Sequence, residues 1–333
     1  MRQPIFRIVL VTALAAAALL GVLIGNPSRT EAGSISAAII GMFPKSTDEF
    51  AYADLKSARK LPWFAQIQDQ MLPKQMRDFE TFLSSAGIDP NSQVTDLAWG
   101  AIMSADGASG QILGVALGAF DPSSTEARFK AQKMPVIEVN GYHLYAFGSG
   151  SGASDILFFF IDSNTAAFGN RSALEKMIDV RMGTAESLFT NDKLYPLITE
   201  ANGSGLIWAV LDKNSTNMAM HELLPQASQF PQAAAIIARI HAMTISVTAD
   251  SGIDVQFQAV CDSVDDANTL GAAMQAGIMY RRYQEAQSNP DFAKALDHVS
   301  VKPSGDRLKI DAPVSQDELL SLIRTKALAP SSM

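Results

Sequence analysis

Cysteine is almost missing from this sequence: Cys261 is the single cysteine among 333 residues. A lone cysteine excludes an internal disulfide bond and a metal site built from several thiolates. Cys261 lies in the run DVQFQAVCD, where it shares one face with Val255, Phe257 and Ala259. We therefore interpret it as a small buried side chain rather than a reactive thiol. One unpaired thiol also suits an oxidising compartment, where spare thiols are a hazard.

Positive charge is also sparse. The chain has 26 Lys and Arg against 34 Asp and Glu, a net charge of −8, and loss of residues 1–32, with three arginines and one glutamate, takes it to −10. No basic run is longer than a pair such as Arg281 and Arg282. Phosphate backbones are repelled on average, so we predict no nucleic-acid partner. A composition of 47% hydrophobic and 18% charged residues indicates a globular body of one large domain or two ordinary ones.

Nucleotide-binding motifs are absent or incomplete. In GSGSGA, Gly148, Gly150 and Ala153 match the relaxed dinucleotide spacing G-x-G-x-x-A after a strand. The motif requires a helix next, but DILFFFIDS follows, and its apolar residues 156–161 indicate a buried strand. No Gly-Lys pair exists for a Walker loop, and Gly150 occupies the serine position of G-x-S-x-G. We therefore predict a hairpin loop here and no cofactor site.

Histidine occurs only four times, and no spacing suggests a metal site. HELLP begins at His221 like a zinc-protease helix, but Pro225 stands where the second histidine would be. His143, His241 and His298 are scattered without acids at ligand spacing. We predict no metal ligand, although convergence of distant histidines in space stays open.

Two aspartates offer the one paired-carboxylate arrangement to test. Asp54 and Asp212 occupy equivalent strand ends in the two predicted halves of the chain. Two acids held together in a cleft could support hydrolysis. Because an aspartate before a helix commonly caps it, we favour capping for both and predict no catalytic residue.

The N-terminus carries the strongest positive signal. Arg2 and Arg7 precede an uncharged run at residues 8–25, and a polar stretch ends at Ala32. This pattern predicts an export signal or a membrane anchor. The length of the apolar run, 18 residues, is at the border between the apolar region of a signal peptide and a membrane-spanning helix. Cleavage after Ala32 and retention as an inner-membrane anchor are both open. In either case the charge distribution places the body in the periplasm or exterior.

The remainder is predicted to be α+β. We assign residues 33–45 to a linker, 46–183 to a first half and 184–333 to a second. In each half a strand, a helix, a hairpin, a helix and a hairpin follow one another, which suggests tandem related halves. Turns such as Asn140-Gly141 pair neighbouring strands, so we expect antiparallel sheets with helices packed on one face.

A family resemblance rests on two stretches. MFPKSTDEFAYADLKSARKLPWFAQI has a proline before a strand that ends in Asp-Leu, and SAGIDPNSQVTDLAWGA has Gly-Ile-Asp-Pro ahead of a second strand. Over residues 42–120 the chain resembles exported bacterial α+β proteins of unknown function. The resemblance implies an envelope protein and carries over no catalytic residue.

Three functions remain after these exclusions. The first is a non-catalytic extracytoplasmic envelope protein, attached to the membrane through residues 8–25, that acts as an interaction or accessory subunit. The second is an apolar-ligand-binding protein whose cavity, of about 300 Å³ or more, is lined by Met274, Met279 and the phenylalanines 158–160. The third is a hydrolase with an unrecognised site. Core packing is the commoner role for such methionines and phenylalanines.

Overall fold

A computed structural model describes residues 33–61, 81, 83–84, 87–103, 110–147, 150, 152, 155–223, 231–249, 253–315 and 318. The predicted leader, residues 1–32 with the apolar run 8–25, lies outside these ranges. So do residues 62–80, and after Ser315 only Glu318 lies within them. No described helix has both the length and the apolar character needed to cross a membrane.

The chain divides into two compact units: of the described residues, the first takes 34–58 and those from 81 to Pro196, and the second takes Gly33, 59–61 and those from Leu197 onward. The elements of the first unit are α1 (Ala37–Ile40), β1 (Glu49–Asp54), α2 (Leu55–Ala58), α3 (Pro90–Gln93), β2 (Val94–Met103), β3 (Gly110–Gly118), α4 (Pro122–Ala131), β4 (Val136–Val139), β5 (Tyr142–Phe147), β6 (Ile156–Phe160), β7 (Thr165–Asn170) and α5 (Arg171–Arg181). A short 3-10 turn at Leu188–Thr190 follows. The strands pair antiparallel in the order β1-β2-β3-β7-β6-β5-β4.

The second unit continues from Leu197, in the first turn of α6. Its elements are α6 (Tyr195–Ala201), β8 (Ile207–Leu211), α7 (Lys213–Leu223), α8 (Pro231–Ile237), β9 (Ile240–Ala249), β10 (Ile253–Cys261), α9 (Val264–Ser288), α10 (Pro290–Asp297), β11 (Ser300–Ser304) and β12 (Arg307–Val314). Its strands pair antiparallel in the order β8-β9-β10-β12-β11. Antiparallel pairing with interspersed helices confirms the predicted α+β class.

Local signals in the sequence account for several boundaries. Asn140 and Gly141 adopt positive φ values of 48° and 84°, as a tight hairpin turn between β4 and β5 requires. The Asp121 carboxylate accepts the amide hydrogen of Ser124 at 3.0 Å and caps α4. Gly87, with φ of 83°, ends a helical turn, and the next amide, of Ile88, donates to the Leu83 carbonyl.

The segment assigned to a linker, residues 33–45, is folded. Ile35, Ile39, Ile40 and Phe43 have buried side chains within the first unit. The Phe43 carbonyl also accepts the amide hydrogen of Leu188 at 2.7 Å. The alternation of small polar and apolar residues in this segment is too short to predict a helix from the sequence. Burial against residues distant in the chain determines its position.

Each unit has its own apolar core. In the first unit, Phe129 of α4 packs against Tyr145 and Phe158, with ring centroids 4.8 and 5.2 Å away. In the second, α9 covers one face of the sheet, and Ala267 and Leu270 join a cluster of buried apolar residues from β9, β10, β11 and β12. The other face of the second sheet is polar, since Thr244, Gln256, Gln258 and Lys309 line a depression there.

Candidate functional site

The longest described helix, α9, contacts the sheet of its unit through one face only. Ala267, Leu270 and Gly271 are buried, and Met274 and Ile278 are partly buried against the same cluster. Counted from Ala267, the other four lie three, four, seven and eleven residues along the chain, so all five fall on one helical stripe. Ser263 begins the helix, and its hydroxyl accepts the amide hydrogen of Asp266 at 3.1 Å.

A second apolar stripe follows the opposite face of the helix. Ala272, Ala276, Met279, Tyr283 and Ala286 are spaced by four, three, four and three residues, and all five are exposed. We call these five residues the outer seam. The side chain of Met279 is 70% exposed and that of Tyr283 is 83% exposed. Scattered exposed apolar residues are ordinary, whereas a continuous stripe of them marks an interaction surface.

Charged groups beside the outer seam are already paired within the chain. Arg281 pairs with Glu285 at 2.7 Å one turn along α9. Arg282 pairs with Asp297 of α10 at 2.5 Å. A partner that covers the seam therefore leaves no new charge unpaired at these positions.

Tyr280, 64% exposed, lies at the border of the seam. Its hydroxyl accepts a hydrogen bond from Gln284 at 2.8 Å. The ring therefore presents apolar area while its polar end is already satisfied, a combination that is common at interfaces.

The polar depression of the second unit is the other candidate. It holds a cavity of about 100 Å³. Glu200 lies at its edge and accepts hydrogen bonds from Arg307 at 2.6 Å and Gln258 at 3.2 Å. The bond from Arg307 outweighs partial burial and lowers the pKa of the Glu200 carboxyl below its ordinary value. This volume is well under the roughly 300 Å³ of a small-molecule site, and the carboxylate is already neutralised, so the depression defines no ligand chemistry.

The paired aspartates lie in different units, and each caps the helix that follows it. The Asp54 carboxylate accepts the amide hydrogen of Ser57 at 2.7 Å, before α2. The Asp212 carboxylate accepts that of Ser215 at 2.8 Å, before α7. The geometry agrees with the favoured capping interpretation, because both carboxylates bind backbone amides three residues ahead.

Replacing Asp212 with alanine is expected to lower the free energy of unfolding by about 1 kcal/mol, because the amide of Ser215 loses its acceptor. Asp212→Asn keeps an acceptor oxygen and is expected to cost only a few tenths of that amount. Urea denaturation followed by circular dichroism measures both losses. Equal losses in the two variants would mean that the charge of Asp212, and not its capping bond, stabilises the unit.

The histidines are placed apart from one another. His143 is exposed on β5, His241 is 2.8 Å from Asp262, and His298 is 3.5 Å from Glu318. The side chain of His221 lies outside the described residues. Within the described ranges, no group of three or more His, Cys, Asp or Glu side chains could hold a metal ion.

The glycine-rich loop and the residues suggested to line an apolar cavity do not form a binding site. GSGSGA connects β5 to β6, and β6 begins at Ile156, so a strand follows the loop where a dinucleotide site needs a helix. Phe158 and Phe159 are buried core residues. Met274 packs against the core of the second unit, whereas Met279 lies on the surface and lines no internal cavity.

Comparisons with known proteins identify no family for this chain. No protein-family profile matches the chain. No curated protein sequence matches it. Among solved structures, crystal form I of TP0453 matches with a TM-score of 0.49 and 12% identity, covering 89% of this chain and 100% of that chain. A likeness at this level carries no argument about function. These outcomes are compatible with a bacterial protein of unknown function.

Proposed function

We propose that this chain is a non-catalytic extracytoplasmic envelope protein that acts as an interaction or accessory subunit at the membrane. Residues 8–25 direct it out of the cytoplasm and either anchor it in the inner membrane or are removed by cleavage after Ala32. The folded part presents the outer seam of α9 to a protein partner. The observation that carries the proposal is this exposed stripe, with Met279 and Tyr283 70% and 83% exposed.

The composition of the seam supports a protein partner. It combines one tyrosine, one methionine and three alanines without a charged side chain. Tyrosine and methionine are enriched at protein interfaces, and charged residues are depleted from interface cores. Alanines let a partner approach the helix closely. The net charge of −8 also opposes binding to phosphate-rich partners.

We further propose that the two units arose by tandem duplication. The order β1-β2-β3-β7-β6 in the first unit has the same connectivity as β8-β9-β10-β12-β11 in the second. In both, an aspartate at the end of the first strand caps the next helix. The hairpin of β4 and β5 then corresponds to an insertion in the first unit, and β6-β7 is the counterpart of β11-β12.

A photo-crosslinking amino acid at position 283 tests the proposal in intact cells. We expect fractionation to recover the chain in the envelope, and irradiation to join position 283 to a protein, whether another copy or a different subunit. The same crosslinker at Lys302, whose side chain is 69% exposed on β11, is the matched control and is expected to give no specific product. Recovery of the chain wholly in the cytosol, or no product at position 283, would refute the proposal.

A further inference from the structure

We propose that the outer seam binds the outer seam of a second copy of this chain. In this arrangement the two α9 helices pack antiparallel about a two-fold axis that passes between Ala276 and Met279. The inference rests on the proposed function, because it names the partner of the same surface. A two-fold contact of this kind uses one patch on both copies, as most homodimers do.

The spacing of the seam is that of helices that pair along their length. Intervals of four, three, four and three residues keep Ala272, Ala276, Met279, Tyr283 and Ala286 in line over two heptads. Residues at this spacing insert between those of a facing helix crossed at a shallow angle. The partner surface that fits is therefore another helix with the same repeat.

The order of side-chain sizes selects the antiparallel direction. Small residues, Ala272 and Ala276, occupy the N-terminal part of the seam, and the large Met279 and Tyr283 follow. Antiparallel pairing sets Tyr283 of one copy against Ala272 of the other, and Met279 against Ala276. Each large side chain then fills the space beside a small one, which is the condition for close packing. Parallel pairing would set tyrosine against tyrosine and leave gaps between the alanines.

The seam together with Tyr280 at its border has enough area for a specific contact. A tyrosine side chain can bury about 150–250 Å². With Tyr280 and Tyr283 64% and 83% exposed, the two tyrosines contribute about 300 Å² per copy. Met279 and the alanines raise this to about 500 Å², so two copies bury about 1,000 Å², the lower bound for a specific interface.

Electrostatics also favours the antiparallel direction. The helix dipoles of two antiparallel helices oppose one another. Arg281 and Arg282 are paired within each copy, so contact between the copies brings no unpaired like charges together. The five residues of the seam carry no charge at neutral pH.

A mixing experiment tests the direction and the partner together. The full chain is prepared as two variants, A272C and Y283C, with different affinity tags. Each variant by itself, and a mixture of the two, is treated with a short bis-maleimide. We expect a covalent dimer only in the mixture, because antiparallel pairing brings position 272 of one copy near position 283 of the other. A272C or Y283C reacting efficiently with itself would overturn the antiparallel arrangement. Native Cys261 is buried and stays in place, and the unsubstituted chain controls for its reaction.

Sedimentation of the full chain in mild detergent gives the second readout. We expect a concentration-dependent dimer that Y283E abolishes, while S304E, which adds the same charge at an exposed position of β11 outside α9, dimerises as the unsubstituted chain does. A monomer at every concentration, with position 283 crosslinked in cells to a different protein, would overturn the self-association and leave the proposed function standing. A monomer without any crosslinked product would overturn both.

Discussion

Trp208→Ala is expected to lower the free energy of unfolding by about 3–5 kcal/mol. Trp208 is the second residue of β8, and its side chain is fully buried. All five residues of this strand are buried, so no solvent-facing position can relax into the space that the indole leaves. The indole N–H also donates to the Gly33 carbonyl at 3.3 Å, and truncation leaves that carbonyl without this donor.

Two further variants show whether this loss comes from burial. Trp208→Phe refills much of the cavity and is expected to recover more than half of the loss. Tyr283→Ala removes a ring of similar size from the exposed seam and is expected to change the stability of the monomer by less than about 0.5 kcal/mol. Urea titrations followed by far-ultraviolet circular dichroism, at concentrations where the chain is monomeric, give all three values. Similar losses at positions 208 and 283 would contradict the described burial.

Much of the fold could be predicted because its signals are local. The residue pair Asn140-Gly141 specifies a turn whatever its surroundings, and Ser263 caps α9 through a bond to an amide three residues away. The apolar run of β6 predicted a strand, and β6 is buried along its centre. In each case the interaction that fixes the element lies within a few residues.

Strands and helices that are stabilised by contacts with residues distant in the sequence were not predicted. The sequence patterns described above predict no element between residues 163 and 203, yet β7, α5 and α6 lie there. The sequence of β7, TAAFGN, is poor in β-branched residues, and pairing with β3 and β6 holds it in the sheet. Gly169 lies so close to β3 that a Cβ there would be 2.2 Å from the Ile112 carbonyl oxygen. Such a requirement becomes visible only when the pairing partner is known.

The candidate site illustrates a different limit. The sequence identifies the extent and cap of α9, but the helix has apolar stripes on both sides, and periodicity alone does not show which stripe contacts the sheet. Met274 and Met279 were therefore assigned the same role. The structure separates them, with Met274 against the core and Met279 on the surface. The interval of four and three residues in the outer stripe was the available signal for a second helix-binding face.

Cys261 is expected to react with thiol reagents at pH 8 roughly 100-fold more slowly in the native chain than in the denatured chain. Burial, followed by the nearby carboxylates of Asp266, Asp262 and Asp306, raises the pKa of its thiol from 9.0 to about 11. Since the raised pKa keeps the thiol protonated in the native state, the stability it provides is complete below pH 9.0 and declines as the pH rises through about 11. Labelling kinetics with and without urea check the first effect. Urea titrations between these pH values, with Cys261→Ser as the control that lacks this loss, check the second. Rapid stoichiometric labelling of the native chain would show that Cys261 at the end of β10 is exposed. It would contradict the burial of the face of β10 that packs against α9.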